Sequence, residues 1–131
     1  AGLQTISPDK TVHEASRKLV EFNIGALPVC DPEGGLVGII TERDIMRETA
    51  KHGGEAASHK IAAVMTRSVV TCVAEDDIET AMRIMTERRI RHLPVLAAGD
   101  LVEIISIGDL VKAKLDGANE EIRHLRDYVA S

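Results

Sequence analysis

Aromatic residues are nearly missing from this chain: 2% of 131 residues, namely Phe22 and Tyr128, with no Trp. Binders of single-stranded nucleic acid stack bases on aromatic platforms, which this composition can hardly build. Positive charge is short as well. The net charge of −5 provides no basic field to draw nucleic acid or anionic lipid, so neither nucleic acid nor membrane is an expected partner. Only two cysteines occur, in the apolar runs Leu27-Pro28-Val29-Cys30 and Val69-Val70-Thr71-Cys72, and both read as small buried hydrophobes. His13, His52, His59 and His124 show no metal-ligand spacing with them and read as surface residues, so no metal site is expected. No run approaches the ~18 apolar residues of a membrane span and no signal-peptide pattern is visible, which makes a cytoplasmic protein the default expectation. Gly-x-Ser-x-Gly, His-Glu-x-x-His and Walker A patterns are lacking, and no nucleophile-and-base pair stands out; an enzyme is not expected.

What is present is a normal globular balance, 44% hydrophobic and 28% charged residues. The most informative stretch is Leu36-Val37-Gly38-Ile39-Ile40-Thr41-Glu42-Arg43-Asp44. Leu36 to Ile40 reads as a buried strand, and a helical stretch follows from Thr41 to about Ala50. The turn has a hydroxyl at its first position and a carboxylate at its fourth, beside helix N-terminal amides that favour anions. It recurs as Leu101-Val102-Glu103-Ile104-Ile105-Ser106-Ile107-Gly108-Asp109.

Taken in order, the chain opens with a strand ending near Ile6. Thr11-Val12-His13-Glu14 has capping-box spacing and starts a helix with Val12, Ala15, Leu19 and Phe22 on one face, broken by Gly25. Ala26–Cys30 reads as a strand and Asp31-Pro32-Glu33-Gly34-Gly35 as a hairpin-type turn. Residues 51–60 read as a flexible connection. Placing residue i against i+66 over Thr5–Cys30 gives eight identities in 26 pairs, and an offset of 65 over Leu36–Met46 gives five in 11. Chance would give roughly one in fifteen, so the chain is an internal duplication. The expected fold is mixed (α+β or α/β): two β-α-β-β-α repeats, too small to fold well singly, packed sheet to sheet about a pseudo-two-fold axis. The expected bounds are 1–50 for the first repeat, 51–60 for the connection, 61–115 for the second repeat and 116–131 for a C-terminal helix, where Ile122, Leu125 and Val129 share a face. Met46, Met65, Met82 and Met85 read as core filling. The repeat helices nevertheless carry apolar residues, Met82 and Met85 among them, that suit a symmetric homodimer.

Ile24-Gly25-Ala26-Leu27-Pro28-Val29 with Gly38-Ile39-Ile40-Thr41-Glu42-Arg43-Asp44, and Ile90-Arg91-His92-Leu93-Pro94-Val95 with Ile104-Ile105-Ser106-Ile107-Gly108-Asp109, resemble the paired motifs of a CBS-domain pair, the tandem module named after cystathionine β-synthase. Val64-Met65-Thr66-Arg67 also looks like the family's opening segment, whereas Glu103 departs from it by standing where Gly38 stands in the first copy. The resemblance implies a regulatory module without catalysis, and no catalytic cofactor. It would bind AMP, ADP, ATP, S-adenosylmethionine or NAD in clefts between the repeats, form a homodimer, and act on a regulated protein not identified by the sequence. The alternative is an interaction or dimerisation scaffold with non-binding clefts.

Carried over residue by residue, the resemblance places Ile40, Thr41, Arg43 and Asp44 with Met65, Arg67, Val70, Ile90, Arg91 and His92, and Ser106 and Asp109 with Gln4, Ile24, Gly25 and Ala26. An ionised Asp accepts hydrogen bonds and a ribose cis-diol offers two donors, so Asp44 and Asp109 suit a ribose. The helix amides with Arg43, Arg67, Arg91 and His92 suit phosphate. The bland reading, a helix cap at Thr41 and at Ser106, holds equally and is compatible with the other. Arg91 and His92 on one side, against Gly25 and Ala26 on the other, imply two unequal clefts.

Overall fold

The structure, a computed structural model, describes residues 3–116 and Leu125. It divides into two compact units, Ala1–Val69 and Val70–Ser131.

In the first unit, Thr11 caps α1 (Val12–Phe22) through the expected capping box with Glu14. Val12, Ala15 and Leu19 turn inward, but Phe22 is 40% exposed and is not part of the buried face. The helix ends at Asn23, in the left-handed region at φ 51°, whose N–H bonds Leu19 and Val20 carbonyls; it stops two residues before Gly25 because asparagine itself tolerates this geometry. β1 (Ala26–Cys30) and β2 (Leu36–Thr41) pair antiparallel, Ala26 opposite Thr41, with a bulge between Val29 and Cys30. Between them Asp31 accepts from Gly34 N through its carbonyl and from Gly35 N through Oδ1, closing the turn. The expected opening strand is reduced to one parallel bridge, Ile6 to Val29.

α2 (Glu42–His52) runs into a 3-10 helix over Gly53–Ser58, so residues 51–60 are helical for most of their length rather than an open loop. Two anchors explain this. Ala56 is buried, and Val12 N donates to the His59 carbonyl while Ile61 N donates to that of Lys10. α3 (Ile61–Val64) then joins the first unit's core: Ile61 is fully buried among Ile6, Ala15, Leu19, Leu27, Val29, Ile40 and Met65. Met46, expected in the core, is 64% exposed, because it lies on the outward face of α2.

The second unit follows the repeat more literally. β3 (Cys72–Val73) runs parallel to β4 (His92–Ala97), which pairs antiparallel with β5 (Asp100–Ser106). The bulge between Val95 and Leu96 matches that between Val29 and Cys30. Ala98 and Gly99, both at positive φ (51° and 83°), form the two-residue hairpin turn. α4 (Ile78–Arg88) is capped by Asp77 and ends at left-handed Arg89, the counterpart of Asn23. Met85 is 1% exposed in this unit's own core beside Leu93, Val95 and Leu110, which removes it from any dimer face, while Met82 packs against that core partly buried. α5 (Ile107–Asp116) follows β5 directly. The expected C-terminal helix, like His124, lies outside the described residues; within it Leu125 alone is described, buried with its N–H on the Asp76 carbonyl.

Candidate functional site

Each unit presents the same turn where its second hairpin strand meets a helix. In the first, Thr41 is extended (φ −118°, ψ 166°) and caps α2. Asp44 N donates to Thr41 Oγ1 at 3.1 Å, and Asp44 Oδ2 accepts from Thr41 N at 2.9 Å and Oγ1 at 3.1 Å. Thr66 Oγ1 donates to Asp44 Oδ1 at 3.2 Å. The carboxylate is thus held by both oxygens at a helix N-terminus, half-buried, where the helix dipole favours negative charge. A carboxylate has about four lone-pair sites, and three are used here, so acceptor capacity remains on Oδ1. In the second unit Asp109 N donates to Ser106 Oγ and Ser106 N to Asp109 Oδ2, each at 3.0 Å. This carboxylate is exposed.

The expected site residues divide accordingly. Around the first turn stand Gly25, whose carbonyl accepts from Glu42 N at 3.0 Å, and Ala26, paired with Thr41. Ile24 packs partly buried against the same core. Ile40 is fully buried and Met65 is 8% exposed. They support the turn from beneath and offer little side-chain surface to a ligand. Arg43 is exposed, and Arg67 is exposed with one N–H of Nη2 on the Ala62 carbonyl at 2.9 Å. Around the second turn the Arg91 carbonyl accepts from Ile107 N at 2.8 Å and His92 pairs with Ser106. Ile90 and Val70 pack on that unit's core, and Gln4 is half-buried in the first unit. In backbone terms, then, Arg91 and His92 adjoin Ser106 as Gly25 and Ala26 adjoin Thr41.

The sequence reading passed over Thr66, the residue that holds Asp44 Oδ1; nothing local signals it, since the two are 22 positions apart. It also treated His52 and His59 as isolated surface residues. They converge with Glu48 in the first unit. The available signal was Glu48 and His52 at i,i+4 on one helix face.

No described helix is long and apolar enough to cross a membrane. Of the cysteines, Cys72 is buried and Cys30 half-buried. Burial, with Asp76 adding to it, pushes the Cys72 thiol up to about 12.

The geometry agrees with what the chain is similar to. The mitochondrial CBS domain-containing protein CBSX3 of Arabidopsis thaliana is 37% identical over 125 residues, 92% of this chain, and this chain spans only 61% of that relative's length. A solved CBS-domain containing protein from Agrobacterium tumefaciens superposes with a TM-score of 0.83 at 40% identity, covering 86% of this chain and 89% of that one. The structure of CBSX2 in complex with AMP matches with a TM-score of 0.72 at 30% identity, over 87% of this chain and 88% of the other. The family model of the CBS domain matches twice, at residues 2–51 and 61–116. With the duplicated hairpin-and-helix units and their paired hydroxyl-x-x-Asp turns, these matches establish that the chain belongs to the CBS domain family, as a tandem pair.

Proposed function

We propose that this CBS pair is a regulatory module that binds an adenosine-containing nucleotide, such as AMP, ADP, ATP or NAD, and catalyses nothing itself. The observation that carries the reading is the Asp44 carboxylate, fixed by Thr41 and Thr66 at the N-terminus of α2 with acceptor capacity left over. It suits a ribose diol, while α2's first amides and Thr41 suit a phosphate. Arg43 and Arg67, both exposed in the same unit, supply the phosphate's countercharge. The AMP complex of CBSX2 supports the choice of ligand class. Asp109, with Gly108 in place of Arg43, holds a phosphate more weakly, so one tight site per chain is expected.

Calorimetry tests this. AMP binds with one tight site, Asp44→Ala weakens it by about 1.5–3 kcal/mol, and Arg43→Ala removes its preference over adenosine. Equal affinity for AMP and its 2′,3′-dideoxy analogue would refute the ribose reading. A second reading, an interaction scaffold without ligand, is favoured by one fact: both Asp carboxylates are already bonded within their own turns. No thermal shift with AMP, ATP, NAD or S-adenosylmethionine would select it. Homodimerisation is also proposed, now on the exposed apolar residues Val20, Met46, Val111 and Leu115. Sedimentation at about twice the 14.2 kDa chain mass checks it.

A further inference from the structure

Glu48 and His52 lie one turn apart on α2, and the 3-10 helix that follows brings His59 back against them. Glu48 Oε2 is 2.5 Å from His59 Nδ1 and 3.8 Å from His52 Nε2. One ligand atom from each of the three residues lies within 4.8 Å of the others. The imidazole rings meet edge to face, centroids 5.0 Å apart at 71°, so their nitrogens converge on the same carboxylate oxygen. The Glu48 side chain is only 18% exposed, against 30% for His59 and 46% for His52, so the carboxylate is the most covered of the three groups.

We propose that Glu48, His52 and His59 form a binding site for a divalent transition-metal ion, Zn2+ by its donor set. Two imidazole nitrogens and one carboxylate oxygen are a common three-ligand set for zinc, with water in the fourth position. An ion about 2.1 Å from each donor sets neighbouring donors roughly 3.4 Å apart. The present spacings, one shorter and one longer, even out by rotating the Glu48 side chain, and the ion takes the place of the proton shared between Glu48 and His59.

The backbone of His59 is fixed, its carbonyl accepting from Val12 N at 2.9 Å, and Lys60 bridges to Thr11. A bound ion therefore fastens the end of α2 to the start of α1. The site is separate from the nucleotide turn: Asp44, Glu48 and His52 share one stripe of α2, and His52 lies about 12 Å along the axis from Asp44.

The test is titration of the tag-free full chain with ZnCl2, by calorimetry and thermal shift, with CoCl2 as a spectroscopic probe. One equivalent binds and raises the melting temperature. His52→Ala and His59→Ala each weaken binding by about 100-fold or more, since losing even an outer-shell partner costs about 10- to 100-fold. His13→Ala and Cys30→Ser leave it unchanged, and Co2+ gives tetrahedral d–d bands without thiolate charge transfer. His52 is exposed, so its replacement leaves the fold intact and keeps the test clean. Zn2+ affinity unchanged in both histidine variants, loss in Cys30→Ser, or no binding by the parent chain would overturn the proposal. None of these readouts depends on nucleotide binding.

Discussion

The two repeats build the same hairpin and capped helix but treat one strand position in opposite ways. In the first, Gly38 lies under the crossing segment Met65-Thr66: a Cβ there would meet Met65 Sδ at 2.6 Å and the Thr66 carbonyl at 3.0 Å. That approach lets Ile39 exchange two 2.9 Å hydrogen bonds with Thr66, which in turn reaches Asp44. In the second, Glu103 occupies the place, and its Oε1 accepts from Ile104 N at 3.0 Å, the counterpart of the Ile39 N–H. One glycine admits a neighbouring segment, whereas one glutamate satisfies the same backbone donor from within its own strand. Duplicated halves have diverged where another segment crosses, and the difference is carried onto the carboxylate of the candidate site.

Exchanging these residues is the strongest way to break the comparison. Gly38→Glu must displace Met65 and Thr66, losing two hydrogen bonds and overpacking the core, at a cost of about 3 kcal/mol. Glu103→Gly loses one bond and costs about 1 kcal/mol. Urea melts of the two variants check the ratio, and equal losses would mean that the crossing segment contributes little. Next in size, Thr66→Val removes the donor to Asp44 Oδ1 at about 1 kcal/mol and weakens AMP several-fold, an effect with no counterpart around Asp109 among the described residues.

The caps sharpen the likeness instead of the contrast. Thr41→Ala and Ser106→Ala should each cost about 1 kcal/mol, because each cap is one side-chain bond to the amide three residues on. Unequal losses would show that the turns differ in more than their surroundings. The smallest effect concerns Cys72, which stands where the first repeat has Ile6. Its thiol, pushed up to about 12 from an ordinary 9.0, favours the protonated form in the folded chain. That contribution is whole below pH 9.0 and drawn down as pH rises towards about 12, so Cys72→Ala should flatten the alkaline limb of a stability–pH curve. At pH 8, a disulfide reagent should label half-buried Cys30 well before Cys72.

What the sequence by itself determined was local or repeated. The Thr11, Thr41 and Ser106 caps were legible because each closes within three residues. The β1–β2 and β4–β5 hairpins were legible from short apolar runs around turn residues, and the division into two like halves from the repeated identities. Tertiary structure alone decided what depends on long separations. Periodicity placed Phe22 inward and residue type placed Met46 in the core, but only packing shows which side of a helix is covered, and both are exposed. Composition made residues 51–60 a loose connection, whereas buried Ala56 and the anchored His59 carbonyl wind most of them into helix. That path is what lays Thr66 on Ile39 and Asp44, 22 residues upstream, and turns His59 back onto Glu48. A hydrogen bond across such a distance leaves no periodic trace in the chain; it exists because the backbone between its ends is held by other residues.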